Sequence, residues 1–397
     1  MNPSKPWRWP LALSGLILLS QAFSWPSPVR NAATLTWETG FSIRYPFWHL
    51  VFTPLTSVAD YLTVMGRTQL VVFVCFVFIL IFLFGRLRRG LILSVGFLIF
   101  LAWGVLVPRP MGRLAAKDPN VLLVDFHSHT RYSHDGRPSF SPMANERWHA
   151  SQGYQAAFIT DHNQVAGAET AKADSRTLWL MTGYRSLQGE EISLAKTHLV
   201  VLGNIERINN TPFDSDPAKI PLFIAFAHQQ GLPVIASLPE YWQNHWGSGM
   251  QDFVRWGIDG FEIVNSTPKA LDFPIQKRLQ VVSLCKKENL FMTGISDNHG
   301  YGYATAAWNA MTLPEWSALD PDQLETAILD HLRVERFTAV TVLEHPVFLS
   351  RNPLELTISP FGHLYYYWRS LTPWQALSWV IWIGVLSVAL KRYVRKN

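Results

Sequence analysis

His127 and His129 stand two residues apart in a short apolar run. In an extended segment residues i and i+2 point to the same side, so two imidazoles there can grip one metal ion. Asp297 and His299 repeat that spacing 170 residues later. Between them lie Asp135 beside His134, Asp161 beside His162, the pair Glu190-Glu191, and His198. Taken singly, each is also what ordinary surface histidines or a satisfied buried pair would look like. Eleven of the 13 histidines fall between positions 127 and 345, interleaved with carboxylates, and the set as a whole points to a metal centre.

These residues sit at the ends of candidate strands. Seven short, β-branched apolar runs cover Val121–Phe126, Gln155–Ile159, Ser186–Ile192, His198–Leu202, Pro233–Ala236, Gly260–Val264 and Phe291–Ile295. Amphipathic stretches between them predict helices over Pro142–Gln152, Pro217–Gln230, Ile275–Glu288 and Pro321–Leu332. The alternation predicts an α/β fold with parallel strands and helical crossovers. Parallel barrels collect their chemistry at the carboxyl ends of strands, so ligands from different strands would converge on one mouth.

Residues 121–300, about half the chain, resemble the polymerase and histidinol phosphatase (PHP) superfamily. The resemblance rests on D-F-H-S-H-T-x-x-S-x-D-G at 125–136, I-T-D-H-N at 159–163, G-x-E-I-S at 189–193, His198, E-x-x-N at 262–265 and S-D-x-H at 296–299. It implies a distorted (β/α)7 TIM-like barrel that binds divalent Zn, Mn or Fe and hydrolyses phosphoesters. It implies a first metal on His127, His129, Glu191 and Asp297, and a second on Glu191 and His198. A third would sit on Asp135, His162 and His299. Asp125 and Asp161 are expected to orient ligand imidazoles, with Asn265 as a further polar contact. Where such proteins carry A-H-P, this chain has Ser237-Leu238-Pro239, and Leu238 cannot coordinate an ion. A water, or Glu240, Tyr241 or His245, would have to fill the gap, so two or three ions are expected. Arg131 is the first candidate for binding phosphate, with Lys196, Arg137 and Arg207 behind it. His134 is a candidate proton donor to a leaving oxygen.

Outside that region the chain changes character. Trp9–Val29, Thr68–Phe84, Leu91–Val107 and Leu371–Leu390 carry no charge, and about 17–25 apolar residues cross a bilayer. Nine basic residues (Lys5, Arg8, Arg86, Arg88, Arg89, Lys391, Arg392, Arg395 and Lys396) fall on one side of four such spans. The positive-inside rule then places both termini in the cytoplasm and the middle on the outer, periplasmic face of a bacterial-type inner membrane. Residues 47–65, apolar but holding Pro54 and Asp60, are expected to be interfacial or re-entrant. The organisation expected is a membrane region over 1–117, a metal-binding unit over 118–348 and a C-terminal anchor over 349–397.

With 48% hydrophobic residues the chain is not disordered, and with two cysteines it is not a disulfide scaffold. A net charge of +5 does not demand nucleic acid. There is no P-loop, G-x-S-x-G or dinucleotide fingerprint. The expected activity is metal-assisted hydrolysis of phosphomonoesters, with Glu191, Asp297, His134 and Arg131 at the reacting groups. The expected partners are a lipid bilayer and a phosphorylated small molecule, with no protein partner. Three alternatives stand beside it: an exonuclease on nucleic-acid ends, stacking bases on Trp242, Trp246, Trp256 or Tyr301; lipid phosphates or cell-envelope polymers as substrates, motivated only by the membrane segments; and a silent metal-binding sensor motivated by Leu238.

Overall fold

The computed structural model describes residues 8–85, 87–173, 183–194, 197–214, 216–239, 242, 248–349 and 352–396. Its centre is one curled ten-stranded sheet wrapped by helices. In chain order the strands are β1 (Arg30–Asn31), β2 (Phe41–Arg44), β3 (Arg113–Ala116), β4 (Val121–Asp125), β5 (Ala156–Ile159), β6 (Arg185–Leu194), β7 (Thr197–Leu202), β8 (Val234–Ala236), β9 (Gly260–Asn265), β10 (Phe291–Ile295), β11 (Ala307–Thr312) and β12 (Thr341–Glu344). The large sheet runs β1-β12-β11-β4-β5-β6-β7-β8-β9-β10, and β2 and β3 form a separate hairpin.

The expected run of parallel strands holds for β4–β5–β6 and β8–β9–β10. It fails in the middle, where β7 is antiparallel to both β6 and β8. The physical reason is chain length. Only residues 195–196 separate β6 from β7, whereas a parallel crossover needs a dozen residues or more. Three strands beyond the expected seven, β1, β11 and β12, also enter antiparallel, with β11 beside β4. The sheet is therefore mixed.

The seam between β10 and β4 is bridged by a side chain. Asn309 on β11 donates to Val124 O at 2.9 Å and Gly294 O at 2.5 Å, and accepts from Gly294 N at 2.7 Å. Just past the strands, Asp297 N donates to His127 O at 3.0 Å and His129 N to Asn298 O at 3.1 Å. These bonds set the two ligand-bearing segments side by side. β4, β5 and β9 are almost wholly buried on both faces, in keeping with their largely apolar sequences, and β9 carries Glu262 and Asn265 into that burial. Helices lie at Pro142–Gln152, Ile220–Gln229, Ile275–Glu288 and Pro321–Glu335. The first is capped by Ser141, whose Oγ accepts from Ala144 N at 3.2 Å. The last has a full capping box between Asp320 and Gln323.

Among the described residues, three helices are long and apolar enough to cross a membrane: Arg67–Phe84, Leu87–Leu106 and Pro373–Arg392. The N-terminal apolar segment forms a shorter helix, whose described residues are Arg8–Ser20. A short 3-10 turn, Gln21–Phe23, follows it, and β1 begins at Arg30. Residues 47–63 form two short helices, Phe47–Val51 and Thr53–Thr63. Asp60, which makes that stretch unlike a span, is paired with Arg109 at 2.7 Å.

Two of these apolar helices are tied to the sheet unit at one end. Asp272, beyond β9, caps helix Arg67–Phe84 by accepting from Thr68 N at 3.1 Å and Thr68 Oγ1 at 2.9 Å. A Cβ on Gly66 would collide with that carboxylate, so the close approach requires glycine. On helix Leu87–Leu106, Val105 O accepts from Gly302 N at 2.7 Å and Leu106 O from Arg137 Nη1 at 2.8 Å.

Candidate metal centre

His127 and His129 leave β4 on one side of the chain, as their spacing requires. His127 Nδ1 meets Glu262 Oε1 at 2.7 Å, and Glu262 Oε2 accepts from Ser237 Oγ at 2.7 Å. The carboxylate thus holds the proton on Nδ1 and leaves Nε2 free for a ligand. Asp297 lies in the left-handed region, with φ of 48°, a conformation that Asp tolerates better than most side chains. Its carboxylate turns back to the histidines and is held through Oδ2 by Asn265 Nδ2 at 2.9 Å.

Four donor atoms then converge. His127 Nε2 lies 3.0 Å from His129 Nε2 and 3.1 Å from Glu191 Oε2. His129 Nε2 lies 3.2 Å from Glu191 Oε2 and 3.1 Å from Asp297 Oδ1. His127 Nε2 and Asp297 Oδ1 are 3.7 Å apart. A tetrahedral ion about 2.0–2.1 Å from each donor would separate the donors by about 3.3–3.4 Å. Both oxygens of Glu191 are buried, and neither makes a well-directed hydrogen bond among the described residues. Donor atoms at these spacings, with both buried oxygens of Glu191 left without a well-directed partner, fit a divalent cation.

A second group shares Glu191. Its Oε1 lies 2.6 Å from His198 Nδ1, and its Oε2 lies 3.1 Å from His162 Nδ1. Leu238 is buried in the hydrophobic core and contributes nothing polar. His162 instead brings a third donor to the pair. A third group gathers on Asp135, whose Oδ2 is 3.1 Å from His299 Nε2 and 3.4 Å from His162 Nε2. His299 Nδ1 faces Asp297 O at 2.8 Å, which again directs Nε2 inward.

The charges are mutually dependent. Burial disfavours ionised Glu191, yet His127, His198 and His162 hold its carboxyl well below the usual range. Burial likewise opposes protonation of His127, but Glu191, Glu262 and Asp297 together raise it well above the ordinary imidazole value. His299 is raised to about 9: burial opposes this, and Asp135 and Asp297 outweigh it. Burial pushes Glu262 up to about 7 against the pull of His127. A cluster that draws in protons this strongly is one whose carboxylates call for positive charge.

Several expected roles change. Asp125 does not orient a ligand imidazole. It pairs with His149 Nε2 at 3.0 Å and accepts from Ser296 N at 3.2 Å and His127 N at 3.3 Å. Asp161 accepts from Thr130 N at 2.6 Å and Thr130 Oγ1 at 2.7 Å, fixing the loop after β4. Both shape backbone, because each sits below the mouth, where main-chain N–H groups need acceptors. The orienting carboxylate is Glu262, an acid in the middle of the buried strand β9. Its only sequence signal is that a carboxylate buried there must have a partner.

Among the phosphate candidates, exposed Arg131 lies over the Tyr132 ring at 5.5 Å. Arg137 serves the helix Leu87–Leu106, and Arg207 stands beside Glu190. His134 is exposed on the rim, with its ring 4.7 Å from that of His162. Lys196, Glu240, Tyr241, His245 and Trp246 lie outside the described residues. The open cavity over the cluster, about 600 Å³, is lined by His134, Asp135, Asp297 and His299 together with two cations, Arg67 and Lys269. In the sequence, Arg67 reads as nothing more than a charge flanking an apolar helix.

No family model and no curated protein matches the chain. Solved structures do show likeness to it. A two-domain protein from Bacteroides vulgatus containing a predicted PHP-like metal-dependent phosphoesterase is 18% identical, over 61% of this chain and 70% of that one, with a TM-score of 0.41. PsfC from Pseudomonas syringae is 17% identical over 62% of this chain and 98% of that one, at a TM-score of 0.39. The lesion-specific endonuclease PfuEndoQ from Pyrococcus furiosus is 12% identical over 53% and 56%, at 0.32. Values this low assign neither activity nor substrate to the present chain.

Proposed function

We propose that the chain is a membrane-anchored, metal-dependent phosphoesterase acting on phosphomonoesters. The observation that carries this reading is the convergence of His127, His129, Glu191 and Asp297 at tetrahedral spacings around unsatisfied lone pairs. Those four residues would hold one ion. Glu191, His198 and His162 would hold a second, and Asp135 with His299 the edge of a third. When bound, divalent ions there supply an activated water and neutralise charge on phosphate.

The chain's own residues do the rest. Glu262 and Asn265 fix the orientation of His127 and Asp297. Arg67 and Lys269 bring positive charge to the cavity wall, where phosphate oxygens need donors. His134, on the rim, is placed to give a proton to the departing alkoxide. Among the described residues, the aromatics of the base-stacking alternative are engaged elsewhere. Trp242 packs on Phe273 at 6.3 Å, Trp256 on Phe253 at 5.2 Å, and Tyr301 stacks on Tyr303 at 5.5 Å. None of these lines the cavity.

The test uses the full chain in detergent. Elemental analysis is run beside hydrolysis of a generic phosphomonoester and a phosphodiester with added Mn or Zn, with Asp297→Ala as control. Two or three ions, with monoester turnover that the control abolishes, is the expected result. One ion or none, without turnover under any ion, overturns it and favours the sensor reading.

A further inference from the structure

The metal cavity adjoins the apolar helices directly. Arg67, which lines it, is the first residue of helix Arg67–Phe84, and its backbone N–H donates to Pro268 O at 2.8 Å. The Arg67 side chain is exposed and forms no ion pair among the described residues. Pro268 is part of the cavity wall and also part of a second hollow. That hollow is an apolar crevice of about 100 Å³. It lies between helices Thr53–Thr63, Arg67–Phe84 and Leu87–Leu106 and is lined by Leu62, Leu70, Phe100, Leu101, Val105 and Tyr303 among others. Donor atoms, a free guanidinium and a hydrocarbon-lined crevice therefore follow one another across a single proline.

A water-soluble phosphate would use the first two and leave the crevice bare. A phosphate on a long hydrocarbon chain would use all three. Its head would sit against Arg67 and Lys269, and its tail would run past Pro268 between helices that themselves belong in hydrocarbon. We infer that the substrate is a monoester phosphate of a long-chain membrane lipid, entering the metal cavity from the bilayer side along this crevice. The inference rests on the phosphoesterase reading above. In the reaction, water adds its oxygen to phosphorus and the bond from phosphorus to the lipid oxygen breaks. One proton of the water ends on the released lipid alcohol, and inorganic phosphate departs.

The test uses the full chain in phosphatidylcholine nanodiscs. Hexadecyl phosphate with a diazirine in its tail is irradiated, and the labelled peptides are mapped. The expected result is labelling concentrated in residues 59–70 and 100–105, removed by excess hexadecyl phosphate and not by hexadecanol. Equal labelling of helices Arg8–Ser20 and Pro373–Lys396, uncompeted, overturns the inference. In parallel, turnover of hexadecyl phosphate is compared with that of methyl phosphate. Leu101→Trp and Val105→Phe should each lower the long-to-short ratio at least tenfold. Leu93→Trp, exposed on the same helix away from the crevice, should leave it unchanged. A ratio near one in the parent chain also overturns the inference while the phosphoesterase reading stands. Specific labelling with no turnover of either phosphate sustains lipid-phosphate binding and removes the hydrolase reading.

Discussion

Glu262 offers the sharpest test of how the centre is held. Replacing it by glutamine removes a charge and little else. The amide oxygen still accepts from His127 Nδ1–H, and the amide nitrogen faces Ser237 Oγ, which can turn from donor to acceptor. Replacing it by alanine strips both partners. His127 then loses the bond that fixes its tautomer, and the Ser237 hydroxyl is left buried and unpaired. Partners that orient ligating histidines are worth about 10–100-fold in metal affinity, or about 1.4–2.7 kcal/mol. Because geometry survives in one variant and not the other, Glu262→Gln should weaken zinc binding about tenfold and Glu262→Ala about 100-fold. Chelator competition at pH 7 on the full chain in detergent measures both. Zinc affinity in Glu262→Ala within twofold of the parent would refute the claim that this carboxylate sets His127 for an ion.

Three further outcomes follow from the same geometry. Asp297→Asn removes a ligand charge and should lower metal affinity by more than about 100-fold, beyond the effect of any orienting partner, as read by the same competition. His345 is half-buried, and desolvation lowers its pKa to about 4 from 6.5. The unfolded chain therefore binds the proton first, so stability is complete above the unfolded value and falls as pH drops toward 4. The loss is about 1.4 kcal/mol per pH unit, roughly 3 kcal/mol in all. His345→Gln should flatten the difference in denaturation midpoint between pH 7 and pH 5, and an unchanged difference would count against it. Arg109 is buried against Asp60, Gly104 O and Gly302 O. Arg109→Leu strands Asp60 and should cost roughly 3 kcal/mol, seen as a lower melting temperature in detergent.

Much of the site can be read from residue types. An H-x-H spacing on extended chain places both side chains on one face whatever the fold around it, so His127 and His129 are legible from their spacing alone, whereas Asp297 shares the spacing with His299 but reaches the histidines through a left-handed backbone. Glu191 can be separated from Glu190 because neighbouring strand residues face opposite ways. Glu190 indeed turns away, to Asn204 Nδ2 and Ile208 N, both at 2.9 Å. What stays hidden depends on distant pairing. Nothing local tells that Glu262 would meet His127 across 135 positions, or that Asp125 would meet His149. The β6–β7 hairpin is legible in its two-residue connection, but apolar runs suggest parallel strands more strongly than short loops suggest their reversal. Arg67 is hidden for a different reason: the end of an apolar helix reads as a topological marker, and only packing shows that it also faces a cavity.

The side-chain bridge at Asn309 has a consequence for how the protein is made. Its partner on β4 is 185 positions earlier in the chain, and its partner on β10 is 15 positions earlier. Contacts this remote form slowly, because the chain must close a very large loop before any of them is rewarded. During synthesis, His127 and His129 leave the ribosome long before Asp297, and the seam that sets them together waits for residue 309. On the proposed reading, metal capture would then be a late event in the life of the chain. For most of translation the nascent protein carries its acids and imidazoles apart, with helices Arg67–Phe84 and Leu87–Leu106 already synthesised.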